Sequence, residues 1–156
     1  MRLPPQVRRV LASPALAHLV TLNPDGTPQL TVVWADVQAD EVVFFAERSR
    51  QKIRNIHRDP RVVVSLEDPQ KNANGLPNHL VLRGHARIVE GPDLALQDKL
   101  ATVYMGLDRY PFANRGADSI VVVRVTVDRI SGFGPYPDGA WGGWVERGHD
   151  SGEELS

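Results

Sequence analysis

The segment Arg48-Ser49-Arg50-Gln51-Lys52-Ile53-Arg54-Asn55-Ile56-His57-Arg58 gathers the residue types best suited to chemistry in this chain. Its spacing predicts a helix from Ser49 to Arg58, with Ser49 as N-cap and Asp59-Pro60 as the stop. Ile53 and Ile56 mark the buried face. Arg50, Arg54 and Arg58 recur at i, i+4 and i+8 on a stripe turned away from it, and Lys52 sits at the border. Arg48, Arg50 and Lys52 therefore crowd the helix start. Helix N-termini already carry partial positive charge and favour anions. Cations gathered there make sense when an anion completes the site, and free N–H groups, a serine hydroxyl and flexible cations suit a phosphate. Two other readings stay open on the residues alone. One is a solvated basic face. The other is a nucleic-acid patch, for which the segment is short and lacks interleaved aromatics.

Two further segments can bear on a ligand. In Gly26-Thr27-Pro28-Gln29-Leu30-Thr31-Val32-Val33-Trp34, apolar residues run consecutively at the end. Such a strand can pack a core on one face and a flat ring on the other, or it can be ordinary barrel core with a bulge. Tyr136 to Trp144 holds two tryptophans among glycines, which suits a ligand lid, a subunit contact or a loop folded on its own barrel. The five histidines have no metal-ligand spacing, and with no cysteine in the chain thiolate sites and disulfides are excluded. No G-x-G-x-x-G follows a strand, and neither G-x-S-x-G nor a Walker sequence occurs.

The elements that must position these residues are mostly strands. A short helix is expected at Pro4–Leu11. Strands follow at Leu16–Leu22, Gln29–Val37, Glu41–Ala46, Arg61–Leu66, His79–Val89 and Ser119–Val127, the last continuing to Phe133 after a bend. Asn23-Pro24-Asp25-Gly26 makes the first turn. Val42-Val43-Phe44-Phe45 is apolar on both faces, which predicts burial on both sides. Glu67–Asn78 reads as a long polar loop, and Gly84 as a bulge or a point of close approach. A helix should run from Gly91-Pro92-Asp93 to about Tyr104, and irregular structure is expected from Gly134. Six strands joined mostly by short turns favour a mainly β (α+β) fold, a six-stranded antiparallel barrel with a few peripheral helices. Parallel α/β topology is disfavoured because the first three strands leave no room for crossover helices.

The 156 residues suit one domain, assigned to 1–145, with a polar acidic tail at 146–156. A formal net charge of −1 does not favour nucleic acid as a partner. The start of the chain lacks the apolar run of a signal peptide, and no stretch approaches the ~20 apolar residues of a membrane span. A cytoplasmic protein without membrane contact is the expectation.

These residues resemble the pyridoxamine 5'-phosphate oxidase-like split-barrel family. Gly26 to Trp34 looks like its second-strand pattern G-x-P-x-x-S/T-P-x-W, with Val32 where that pattern has proline. Arg48 to Asn55 followed by Arg58-Asp59-Pro60-Arg61-Val62 looks like its phosphate-binding segment. The R-x-R-Q-K-x-R-N form is similar to the actinobacterial branch that uses the deazaflavin F-420. The resemblance implies a homodimer with two cofactor sites at the interface. It implies that Arg48, Ser49, Arg50 and Lys52 hold the cofactor phosphate, and that Thr31, Val32, Val33 and Trp34 lie near the tricyclic ring. Arg54, next on the stripe, would extend the cationic row toward a longer polyanion. The activity implied is an F-420-dependent reductase acting on a small conjugated molecule. The alternatives are an FMN-binding oxidoreductase and a non-catalytic cofactor carrier. No catalytic side chain is identified, because in such proteins the cofactor carries the hydride.

Overall fold

A computed structural model describes residues 1–133 and a strand at 143–147. The elements are α1 (Pro5–Leu11), β1 (Ala17–Leu22), β2 (Pro28–Val33), β3 (Asp36–Gln38), β4 (Glu41–Glu47), α2 (Gln51–Arg58), β5 (Arg61–Lys71), β6 (Pro77–Glu90), α3 (Leu94–Met105), β7 (Ile120–Phe133) and β8 (Gly143–Arg147). All strand pairs are antiparallel, along the path β2-β1-β5-β6-β7-β4-β3, with β8 added to the end of β7. The path ends at β2 and β3, yet only Trp34 and Ala35 separate those two strands in sequence. The sheet must therefore curl until its edges meet. This is a split barrel, its last seam made by chain continuity rather than by a ladder. No helix among the described residues is long and apolar enough to cross a membrane.

Alternation builds the interior. Val62, Val64 and Leu66 of β5, Leu80 and Leu82 of β6, and Val121, Val123, Val125 and Val127 of β7 are buried together with Leu19, Val42 and Phe44. Val7, Val10 and Leu11 of α1 and Ile53 and Ile56 of α2 complete this core. Val43 lies on the opposite face of β4, packed with Leu96 and Leu100 of α3 and with Val122, against Trp34, Phe45 and Tyr104. The run Val42–Phe45 is thus buried on both sides, as its composition predicts.

The expected count of six strands becomes eight for two local reasons. The strand expected at Gln29–Val37 breaks at Trp34-Ala35, where the Ala35 N–H bonds to the Tyr104 hydroxyl at 3.2 Å. β8 forms in a stretch expected to be irregular. The expected loop at Glu67–Asn78 is also shorter. β5 continues to Lys71 because Asp68 points inward and takes two bonds from Arg9. Asn72 then caps a tight turn through the N–H groups of Asn74 and Leu76. Ser49 is not an N-cap: Arg50 occupies that position in extended backbone, and no side chain caps the helix. Gly84 lies at a register shift between β6 and β7, where a Cβ would collide with the Thr126 carbonyl oxygen. The Trp-rich segment up to Gly142 and residues 148–156 lie outside the described residues.

Candidate functional site

A cleft of about 510 Å³ opens between β2, the end of β4, the first turn of α2 and the segment after α3. β2 contributes Gln29, Thr31, Val32 and Val33, with Trp34 at its end, and α2 contributes Gln51 and Lys52, with Arg50 at its cap. β4 contributes Phe45, Ala46 and Glu47. Of the nine residues expected to touch a cofactor, Thr31, Val32, Val33, Trp34, Arg50 and Lys52 line this cleft. Arg48, Ser49 and Arg54 do not. Arg48 is bound twice to Glu90, at 3.0 and 2.6 Å, and to the Asp118 carbonyl at 2.9 Å, so it ties the end of β4 to β6. Arg54 donates to the Ser49 carbonyl and to Gln51 Oε1.

The electrostatics of the cleft are asymmetric. Lys52 is half-buried, and among the described residues its ammonium has no hydrogen-bond or ion-pair partner. Burial first, and the neighbouring Arg50 charge second, push its pKa below the ordinary lysine value. The Arg50 guanidinium likewise makes no hydrogen bond within the described chain. Glu47 is the opposite case. Its carboxylate is held below the ordinary range by hydrogen bonds from Ser119 and then Asn114, the latter at 2.9 Å. Glu47 is thus internally satisfied, with the Arg50 charge adding to its hydrogen bonds, while Lys52 has no opposite charge or acceptor among the described residues, which is an arrangement for an anion.

The opposite wall is aromatic and comes from a stretch with no periodic signal. Tyr110, Phe112 and Asn114 line the cleft from the segment after α3. Tyr110 meets Phe45 edge-on at 5.2 Å and Phe112 at 5.1 Å. Two adjacent residues of α3 hold this segment. Asp98 takes two bonds from Arg115, at 2.8 and 2.7 Å, and one from the Tyr110 N–H at 2.9 Å. Gln97, fully buried, accepts from the Gly116 N–H at 2.8 Å. The sequence reading missed these residues. Gln97-Asp98, polar side chains on a helix that must bury a face, were the available signal.

Asn55 joins the two halves of the basic side. It is completely buried on α2 and donates to Thr21 Oγ1 and Asn23 Oδ1, both at 3.0 Å. That fixes α2 to the β1–β2 hairpin, and so fixes Lys52 relative to Thr31–Trp34. The residues present fit a group that combines a flat ring with a phosphate. Apolar and aromatic side chains bound one part of the cleft, and the cations Arg50 and Lys52 the other.

The fold and the cleft define a class. The chain belongs to the pyridoxamine 5'-phosphate oxidase family, a class of oxidoreductases, whose sequence pattern matches residues 3–134. Its similarity to individual solved structures runs along the same line. An F-420 reductase is 32% identical, with 83% of this chain and 98% of that one covered and a TM-score of 0.68. A conserved hypothetical protein from Mycobacterium tuberculosis is 25% identical over 85% of this chain and 84% of that one, with a TM-score of 0.68. A heme binding protein from Mycobacterium smegmatis, at 21% identity over 90% of this chain and 55% of that one and a TM-score of 0.63, shares the fold. A comparison with curated proteins finds no match.

Proposed function

We propose that this chain is an F-420-dependent reductase that passes a hydride to a small conjugated organic substrate in this cleft. The observation that carries the reading is Lys52, a half-buried ammonium with no partner among the described residues, in the same cleft as the apolar strand end Val32-Val33-Trp34. A buried charge is costly unless paired, so Lys52 is poised for an anion that arrives with the ligand. The 32% identity to an F-420 reductase over most of both chains supports the choice of deazaflavin.

The cofactor supplies the hydride chemistry when bound. In this reading Arg50 and Lys52 hold its phosphate. Thr31, Val32, Val33 and Trp34 bound one side of its ring, and Phe45 and Tyr110 limit access of water from the other. Ser49 and Arg48 border the phosphate position without lining the cleft. FMN is the second reading, because the cation pair serves any phosphate. Side-by-side titration of the protein with F-420 and FMN, read by absorbance and fluorescence, tests the choice. Turnover of the reduced cofactor separates an enzyme from a carrier. Failure of both cofactors to bind would remove the proposal.

We also propose that a second copy of the chain covers the outer face of β2, β1, β5 and β6. Leu30 is 60% and Val32 49% exposed there. Register aligns Leu30 with Val20 and Val63, and Val32 with His18, Ser65 and Val81, across that face. Val32 also lines the cleft, so a partner seated on β2 would border the site. A stable pair should bury about 1,200–2,000 Å² in total. Sedimentation that showed only monomer at micromolar concentration would refute it.

A further inference from the structure

Arg54 does not line the cleft, yet it stands at the head of a chain of amides that does. An arginine can only donate hydrogen bonds. Its bond to Gln51 must therefore fall on Oε1, which leaves the Gln51 amide nitrogen to donate to Asn55 Oδ1 at 2.7 Å. Arg58 reinforces the same direction, donating to Asn55 Oδ1 at 3.4 Å. Asn55 then has only its N–H₂ for the next link. It donates to Thr21 Oγ1 and to Asn23 Oδ1, both at 3.0 Å, with Gln29 Oε1 farther away at 3.5 Å, and the Thr21 hydroxyl passes its own proton to Gln29 Oε1 at 3.3 Å. The route through Thr21 ends on the carbonyl of Gln29. Its amide nitrogen is left over, with no partner among the described residues, on a side chain that lines the cleft.

We propose that Arg54 is a positioning residue that fixes the direction of this amide chain, so that Gln29 presents an N–H donor, not a carbonyl, to a phosphate-class anion in the cleft. The proposal rests on reading the cleft as a phosphate site. It makes Gln29 a specificity residue: the same side chain with its amide reversed would repel the anion. Hydrogen-bond chains of this kind hold one direction because reversing it requires every member to turn.

A double-mutant cycle tests it, with dissociation constants measured calorimetrically for FMN, riboflavin and inorganic pyrophosphate. A hydrogen bond to a charged group should be worth about tenfold or more in affinity. Gln29→Met and Arg54→Ala should each weaken FMN and pyrophosphate by about that factor and leave riboflavin, which has no phosphate, unchanged. The double variant should be no weaker than Gln29→Met alone, and Arg54→Lys, still a pure donor, should restore binding. Gln29→Glu keeps the acceptor for Asn55 and Thr21, so it should fold, and it should lose FMN by more than Gln29→Met. Additive losses in the double variant, or riboflavin weakened as much as FMN, would overturn the proposal, since Arg54 would then act by charge or by folding. Wild type that binds neither FMN nor F-420 would defeat the cofactor reading, while the pyrophosphate cycle still decides the amide chain. Wild type that binds no pyrophosphate or FMN would defeat this proposal as well.

Discussion

Trp34 stacks on Tyr104 with ring centroids 5.1 Å apart and planes within 5° of parallel. The same tyrosine donates to the Ala15 carbonyl at 2.6 Å and accepts from the buried Ala35 N–H at 3.2 Å. One side chain of α3 therefore clamps the junction of β2 and β3, the seam where the curled sheet meets itself, and places Trp34 against the cleft.

Tyr104→Phe should keep the stack and lose the clamp, leaving a buried N–H without its partner at a cost of about 1–3 kcal/mol. A melting point lower by several degrees is expected, on the scale of about 2–4 °C per kcal/mol for a chain of this size. Cofactor affinity should fall with it, because Trp34 loses its anchor. Unchanged melting would mean that the hydroxyl is dispensable to the seam.

Asp98 gives the aromatic wall a pH dependence. Hydrogen bonds from Arg115, then from the Tyr110 N–H, hold its carboxyl well below the usual carboxylate range. A depressed folded-state pKa contributes stability that is present above the ordinary value and is lost as pH falls through the folded one. The segment between α3 and β7 should loosen in acid, starting below about pH 4, and Asp98→Asn should loosen it at neutral pH. Amide hydrogen exchange at Tyr110 and Gly116 reads this directly. Equal protection in Asp98→Asn and wild type at pH 7 would contradict it.

Lys52 shares this pH direction but enters as a penalty of burial, not as a gain. Its lowered pKa means that the folded, ligand-free protein disfavours the charged form, so its contribution to stability rises with pH. Lys52→Met should therefore stabilise the ligand-free fold while weakening FMN and F-420 by about ten- to a hundredfold. Denaturation and titration of the same variant test both halves. A variant that bound either cofactor as tightly as wild type would place the phosphate elsewhere.

What the sequence made legible was periodic or compact. Val42–Phe45 showed its two buried faces because strand alternation leaves a short-range mark, and Arg48–Arg58 showed a basic helix because its residues are neighbours in the chain. Gln29, Tyr110 and Asn114 left no such mark. They meet Lys52 only after the β1–β2 hairpin docks on α2 through Asn55 and the segment beyond α3 is pinned by Gln97 and Asp98. The pairing of Arg48 with Glu90 was equally invisible, since 42 positions separate them and only the curl of the sheet brings them together. Gly84 was legible as an anomaly, a glycine within a strand pattern.

That glycine gives a prediction independent of any ligand. The Cβ of Gly84→Ala would meet the Thr126 carbonyl and a Val125 methyl in the middle of the β6–β7 ladder. Overpacking of this kind costs about 1–3 kcal/mol, occasionally more, and the site is backbone against backbone, where little can yield. Chemical denaturation should show a loss near the upper end of that range. A loss under about 0.5 kcal/mol would mean that the bulge can open without cost.

The choice between cofactors turns on what lies beyond the phosphate. FMN ends there, whereas F-420 continues through a lactyl unit into a chain of glutamates. Arg54 and Arg58 extend the basic stripe in that direction. Both make internal bonds, Arg58 to the Leu22 carbonyl and Arg54 to Gln51, but both are exposed and keep donors to spare. Exposed pairs add only about 0.2–1 kcal/mol each, so F-420 should bind more tightly than FMN by a modest factor that shrinks as salt rises. Arg58→Ala should remove part of this preference and cost FMN less than F-420, its share of the FMN loss coming through the bond to Asn55. The Arg54→Ala loss for FMN, transmitted through Gln29, should by contrast be nearly independent of salt, because it is a short-range bond in a sheltered cleft. FMN binding as tightly as F-420 at low salt would reverse the assignment of cofactor and leave the cleft, its cation pair and the amide chain as they stand.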